Sequence, residues 1–168
     1  MNKYLCLLAE LDEETQGVLQ MYETILLENG LSGKQTKEIP YHISLNTYSV
    51  EHESYLKDLL DNIGTKFKQI NVVYSGFGLF GLNVLFLNPV MNMELLKLYE
   101  FAKEKSNSEF NVFSAHTTLF IDQPENILKI LPEFVERSKK TSGNVKYISL
   151  YEFFPARLIK RIELPKNI

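Results

Sequence analysis

The chain has 168 residues, of which 45% are hydrophobic and 12% aromatic, so it can bury the core of one domain and is not a disordered tail. Its net charge of −3, without a cluster of consecutive lysines or arginines, argues against a protein that binds a long nucleic acid through many phosphates. No stretch reaches the ~20 apolar residues of a membrane-spanning helix, and the apolar run at the N-terminus is too short for a secretory signal.

Cys6 is the single cysteine of the chain. One thiol has no partner for an internal disulfide, which favours a reducing compartment. Its apolar neighbours Leu5 and Leu7 indicate a buried structural residue rather than a reactive thiol. We therefore expect a cytoplasmic, monomeric protein that makes no contact with a membrane.

Strands and helices alternate through the first half of the chain. Asp12, Glu13 and Glu14 place negative charge at the start of a helix, where the helix dipole favours it. The predicted elements are a strand over residues 3–9, a helix from residue 12 with the apolar face Val18, Met21, Ile25 and Leu26 and a stop at Gly30, a loop over 32–38, a strand over 41–48, a helix over 49–63 and a strand over 67–77.

The second half repeats that order. Pro124 suits the first turn of a helix, with Asp122 and Glu125 in capping-box spacing. The predicted elements are strands over residues 83–87, 113–121, 145–153 and 158–164, a helix over 93–105, and a helix from Pro124 with the apolar face Ile127, Ile130, Leu131, Phe134 and Val135. Each half reads strand, helix, histidine-bearing strand, helix, strand. This order predicts an α+β fold: one domain over residues 1–168, made of two similar lobes at approximately 1–78 and 79–168, with strand exchange between them left open.

Two of the three histidines begin near-identical tetrapeptides that lie 74 positions apart, at equivalent places in the two halves. The tetrapeptides are His42-Ile43-Ser44-Leu45 and His116-Thr117-Thr118-Leu119. Because side chains i and i+2 of a strand share a face, each half presents an imidazole beside a hydroxyl and turns its leucine toward the core.

This arrangement suits cleavage of a phosphodiester. One neutral and one protonated imidazole can deprotonate the attacking oxygen and protonate the leaving oxygen near neutral pH. Hydroxyl groups can hold the non-bridging phosphate oxygens, and no metal is required. A single such tetrapeptide is commonly structural. Two copies in corresponding strands favour catalysis by His42 and His116, with Ser44 and Thr118 as substrate-binding residues.

These motifs resemble the signature of the two-histidine (2H) phosphoesterase superfamily, which is two copies of His-x-Ser/Thr-apolar. Residues 73–87 are similar to the strand pair that the superfamily carries between its motifs, and residues 145–151 to its late strand before the final hairpin. Within the superfamily, the chain resembles the bacterial 2',5' RNA ligase and cyclic phosphodiesterase proteins.

The resemblance implies a bilobal, pseudo-twofold fold in which two antiparallel-rich sheets, flanked by helices, surround a central cleft. It also implies action on 2',3'-cyclic phosphates or 2',5'-linked ribonucleotides without a cofactor, with His42 and His116 as the acid–base pair. The expected partner is a nucleotide or a short RNA end that carries a phosphodiester. Which histidine is the acid is not assigned.

Other residues have two interpretations. Tyr48 and Tyr151 are candidate substrate-binding aromatics, although most of the nine tyrosines must be core. A metal site of His42, His116 and Asp122 is an alternative that no ligand spacing supports. The glycines of residues 75–78 indicate a bend or close backbone packing rather than a phosphate loop. His52, Arg157, Lys160 and Arg161 are read as solvated.

Two other functions remain alternatives. The chain could keep the cleft but only bind a nucleotide or a partner, as a catalytically silent domain. It could also hydrolyse another cyclic or ADP-ribose-derived phosphoester. Turnover by the wild type on a panel of such compounds distinguishes these alternatives.

Overall fold

The computed structural model describes residues 3–107 and 113–167. The strands are β1 (Tyr4–Leu11), β2 (His42–Tyr48), β3 (Ile70–Phe80), β4 (Val84–Pro89), β5 (Thr117–Ile121), β6 (Thr141–Phe153) and β7 (Arg157–Glu163). The helices are α1 (Glu13–Gln20), α2 (Glu23–Glu28), α3 (Glu53–Lys66), α4 (Met93–Phe101) and α5 (Pro124–Arg137), with a 3₁₀ turn at Val50–His52. None of these helices has the length and apolar character that crossing a membrane requires.

All seven strands pair antiparallel, in the order β2-β1-β6-β3-β4-β5, with β7 also on β6. The α+β prediction is confirmed. The two expected sheets form one continuous sheet, because β6 is 13 residues long and pairs with strands of both. Its residues 141–145 pair with β3, whereas residues 145–153 pair with β1.

Strands from the two halves of the chain are interleaved in this sheet. β3, from the first half, lies beside β4, whereas β6 and β7, from the second half, lie with β1 and β2. The division of the chain into lobes of residues 1–78 and 79–168 stays a prediction.

The predicted helix after Asp12 is two helices, α1 and α2. The Asp12 carboxylate accepts hydrogen bonds from the backbone N–H and the hydroxyl of Thr15, at 2.8 and 2.7 Å, and so caps α1. Val18 and Met21, predicted to face the core, are 37% and 69% exposed. The break between the helices changes which residues face inward, and the buried positions are Leu19, Tyr22, Ile25 and Leu26.

Helix α5 begins at Pro124, as predicted, but Asp122 does not cap it in the expected way. Its carboxylate accepts from the N–H of Gln123 at 2.7 Å and from the side-chain amide of Asn126 at 3.0 Å. These hydrogen bonds, that of Asn126 foremost, lower the pKa of Asp122. Val135, predicted to be core, is 49% exposed because it lies beside the apolar face of α5 rather than on it.

The two end strands of the sheet, β2 and β5, come back toward each other, with Cα atoms within 8 Å. Two backbone hydrogen bonds, each from another segment of the chain to one of these strands, accompany this approach. The N–H of Lys34 donates to the carbonyl of Ile121 at 2.6 Å, and the N–H of Asn107 donates to the carbonyl of Thr47 at 2.8 Å. Each acceptor lies five residues after one of the tetrapeptide histidines. The fold therefore brings the two tetrapeptides to facing edges.

Candidate active site

His42 and His116 occupy equivalent backbone positions. His42 is the first residue of β2, and His116 directly precedes β5, which begins at Thr117, four residues later than the predicted strand over 113–121. The Nδ1 atom of His42 lies 2.7 Å from the carbonyl of Pro40, and that of His116 lies 2.8 Å from the carbonyl of Ser114. A carbonyl only accepts, so each Nδ1 carries the proton and each Nε2 remains for chemistry.

The surroundings of His42 favour its neutral form. Its side chain is half-buried, and desolvation lowers its pKa below the usual value, with a further lowering from the charge of His116. The hydrogen bond to Pro40 opposes this shift without cancelling it. Because charge on His116 disfavours protonation of His42, the state with both rings protonated is disfavoured.

Aromatic rings hold His116 from the side. Its ring meets the ring of Phe80 edge to face, with centroids 4.8 Å apart, and that of Phe86 at 5.3 Å. Phe86 in turn lies on the backbone of Gly78, where an added Cβ would be 2.6 Å from the Phe86 ring. The expectation of close backbone packing in residues 75–78 is confirmed, and its effect is to seat a ring beside His116.

The hydroxyl groups of the tetrapeptides follow the predicted alternation. Thr118 is half-buried and lines a cavity of about 320 Å³ together with His42. Thr117 faces away, and its hydroxyl is 2.7 Å from that of the buried Tyr74. Ser44 and His116 do not line this cavity. Cys6 is buried, as expected for a structural cysteine, and burial raises the pKa of its thiol to about 12, with the nearby Ser44 hydroxyl opposing that rise.

The two tyrosine candidates differ. Tyr48 is fully buried in the main core, and its hydroxyl donates to the carbonyl of Ala102. A ring in that position cannot meet a ligand, so the prediction for Tyr48 is wrong. An irregularity in the β1–β2 pairing at Leu7 and Leu8 breaks the simple alternation that would have turned Tyr48 with Ser44. Tyr151 is 7% exposed and packs with Phe153, which lines the cavity, so its role stays a prediction.

Sequence reasoning missed several residues of the cavity wall. Gln35, treated as part of a plain polar loop, lines the cavity with His42, and Glu23 does so from α2. Phe80 and Phe86, stacked on each other, contact His116, and the sequence pattern singles out neither of them. The hydrogen bonds that join Lys34 and Gln35 to Ile121 could not be predicted from the sequence, because they depend on how segments far apart in the chain pack together.

The alternative of a metal site finds no support in the described geometry. Within residues 3–107 and 113–167 no three side chains of His, Cys, Asp or Glu gather closely enough to hold an ion. The carboxylate of Asp122 is engaged at the start of α5.

Comparisons with known proteins concern the fold. No protein-family model and no curated protein matches the chain. Among solved structures, one described as a phosphoesterase aligns with a TM-score of 0.68 at 17% identity, covering 98% of this chain and 100% of its own. E. coli LigT complexed with 3'-AMP aligns with a TM-score of 0.66 at 17% identity, covering 96% and 98%. TT0787 of Thermus thermophilus aligns with a TM-score of 0.70 at 14% identity, covering 98% and 100%.

These likenesses span nearly the whole of each chain, at identities below one residue in five. At such identity the shared property is the fold. The architecture expected from the two histidine motifs is thus confirmed: this chain has the fold of E. coli LigT and of the structure described as a phosphoesterase.

Proposed function

We propose that the protein is a metal-independent phosphoesterase that acts on 2',3'-cyclic phosphates or 2',5'-linked ribonucleotides. The observation that carries the proposal is the matched pair of histidines on facing strands, each with Nδ1 tied to a backbone carbonyl. Two imidazoles with Nε2 available are an acid–base pair for in-line displacement at phosphorus. A cyclic phosphodiesterase resembling the 2',5' RNA ligases is the form of this activity that we favour.

His42 is the general base in this proposal, and His116 is the general acid. In hydrolysis, His42 Nε2 takes a proton from water as the water oxygen bonds to phosphorus. His116 gives its proton to the ribose oxygen as the bond from that oxygen to phosphorus breaks. The lowered pKa of His42 supports this direction, because only the neutral imidazole accepts a proton.

Thr118 and Ser44 hold the phosphate. A hydroxyl donor placed beside the reacting phosphorus stabilises the charge that grows on the non-bridging oxygens. Thr118 lines the cavity with His42, which supports its contact with the substrate. Ser44 lies two residues from His42 in β2, so the alternation of side chains along a strand puts it on the face of His42.

The size of the cavity supports a small substrate. A volume of about 320 Å³ is at the lower end of the range for small-molecule sites. It suits a mononucleotide or the end of a short RNA rather than a duplex. E. coli LigT has been solved with 3'-AMP and with ATP, and this supports a nucleotide as the ligand.

The test is turnover of the four nucleoside 2',3'-cyclic monophosphates in the presence of EDTA. His42→Ala and His116→Ala should each lower kcat by about 10²–10⁴, the usual contribution of a general acid or base. His52→Ala is the matched control, because this third histidine lies in a 3₁₀ turn, 3.8 Å from Glu51. Activity that persists in either active-site variant, or that EDTA removes, would contradict the proposal. Binding of nucleotides without turnover would favour a silent binding domain.

A further inference from the structure

The cavity extends beyond the reacting groups. From His42 and Thr118 it continues between α1, α2 and residues 35–41, where Glu23, Gln35 and Lys37 contribute to its wall. We call this part of the cavity, lined by Glu23, Gln35 and Lys37, the arm. The proposed acid–base chemistry does not use it. Its polar groups therefore need an account of their own.

The side chain of Gln35 is held in place. Its Oε1 atom accepts a hydrogen bond from the N–H of Ile121 at 3.3 Å, next to the hydrogen bond from Lys34 to the carbonyl of the same residue. Its carboxamide lies over Gly33, which has a φ of +69°, and a Cβ at that position would overlap it. Gln35 is thus fixed to the strand that follows His116.

The other end of that carboxamide has no partner. Within the part of the chain that the structure describes, Nε2 of Gln35 is buried without a hydrogen-bond acceptor. Gln16, on the same wall, differs, since its amide is fully used by the backbone of Leu11 and Tyr41. A buried donor without an acceptor costs stability, and an acceptor on a ligand would remove that cost.

The charges in the arm select the kind of ligand. Glu23 accepts from the hydroxyl of Tyr41 at 2.9 Å through Oε1. No ion pair joins the exposed Lys37 to another described residue, and it is the one ammonium group among those lining the cavity. One carboxylate beside one ammonium gives no net positive charge for a second phosphate. A flat heterocycle with both donors and acceptors fits better.

We propose that this arm binds the base of a single nucleoside, with Nε2 of Gln35 donating to a carbonyl or ring nitrogen on the base edge. The carboxylate of Glu23 accepts from an amino or imino N–H of the same base. The proposal rests on the proposed function, since the phosphate of that nucleotide lies at His42. It makes the substrate a mononucleotide or the terminal nucleotide of a chain.

Binding tests the arm without requiring turnover. The dissociation constants of the four 3'-nucleotides and of inorganic phosphate are measured for wild type and for Gln35→Glu. This variant keeps an acceptor for Ile121, removes the donor and adds a negative charge. Ser32→Glu, at an exposed position of the same loop, controls for the added charge. The ratio of nucleotide to phosphate dissociation constants should rise roughly tenfold in Gln35→Glu, the effect of losing one buried hydrogen bond, and stay within about twofold in Ser32→Glu.

Two results would overturn the arm as a base site. The first is wild-type protein that binds 3'-nucleotides no more tightly than phosphate. The second is an equal loss for nucleotides and phosphate in Gln35→Glu.

Glu23→Gln is an independent variant that keeps an acceptor for Tyr41. It should change the order of affinity among the four nucleotides, and an unchanged order would count against the proposal. A changed ratio in a protein that turns over no cyclic phosphate would support the base site while rejecting the catalytic proposal.

Discussion

His42 and His116 are held by the same hydrogen bond, from Nδ1 to the backbone carbonyl two residues earlier, at 2.7 and 2.8 Å. The backbone thus treats the two rings alike, and their surroundings make them different. His42 is desolvated, whereas His116 packs edge-on against the stacked rings of Phe80 and Phe86. The two histidines thus share the same backbone hydrogen bond but have different surroundings, and different surroundings suit one to act as a base and the other as an acid.

The pH dependence of activity should report the base. Because His42 acts when neutral and desolvation lowers its pKa, the acidic limb of kcat/KM should have its midpoint below the ordinary histidine value of about 6.5. A pH profile on one 2',3'-cyclic nucleotide measures this midpoint. A midpoint at or above that value would reject His42 as the base.

The sequence predicted what depends on local pattern. The alternation in the tetrapeptides put Leu45 and Leu119 in the core, and both are buried. The placement of Ser44 and Thr118 beside the histidines as substrate-binding residues stays a prediction. The local pattern could not predict that Tyr48 faces the core, because an irregularity in the pairing of β1 and β2 changes the face on which later residues of β2 lie. It also could not predict Gln35, whose position is set by contact with Ile121, 86 residues away.

Thr118 and its neighbour Thr117 offer a matched pair of substitutions. Thr118→Val removes the hydroxyl proposed to hold the phosphate, and kcat should fall by about 10–10³ with little change in the free energy of unfolding. Thr117→Val leaves the buried hydroxyl of Tyr74 without its partner, so it should lower the free energy of unfolding by about 1–3 kcal/mol and spare kcat. Steady-state kinetics and urea unfolding measure both. The reverse pattern would show that the two faces were assigned wrongly.

Gly78 should matter to His116 through Phe86. A Cβ at position 78 would lie 2.6 Å from the Phe86 ring, so Gly78→Ala should displace that ring, destabilise the fold by about 1–3 kcal/mol and lower kcat. Gly76→Ala is the control, since among the described residues no atom beyond its chain neighbours lies within 4 Å of its added Cβ. Comparing the two variants by kinetics and by chemical unfolding tests the contact. Equal effects at both glycines would contradict it.

Tyr48→Phe tests the correction of a predicted site residue. The variant loses the hydrogen bond to the carbonyl of Ala102, so it should lower the free energy of unfolding by about 1–2 kcal/mol. KM for a cyclic nucleotide should not change, because the ring lies in the core. A raised KM in a variant of wild-type stability would return Tyr48 to the site.

Glu10 is a fully buried carboxylate whose charge the fold disfavours. Arg161 lies 2.7 Å from it and Ser149 is adjacent, yet desolvation outweighs both and raises the pKa of Glu10 above its usual 4.5. The folded chain therefore binds the proton of Glu10 more tightly than the unfolded chain does. The stability that this proton contributes is lost as pH rises from 4.5 through the raised pKa. Glu10→Gln lacks this loss, so its stability relative to wild type should increase with pH across that window.

Glu152 supplies a control of opposite sign for the Glu10 prediction. Hydrogen bonds from Lys3 and then Arg157 lower the pKa of Glu152, so its charged form is the one that the fold favours. Glu152→Gln should consequently lose stability relative to wild type as pH rises through the range where that carboxyl ionises. Urea unfolding of the wild type and both variants at a series of pH values gives the two slopes. Slopes of the same sign would mean that Arg161 and Ser149 compensate the burial of Glu10 after all.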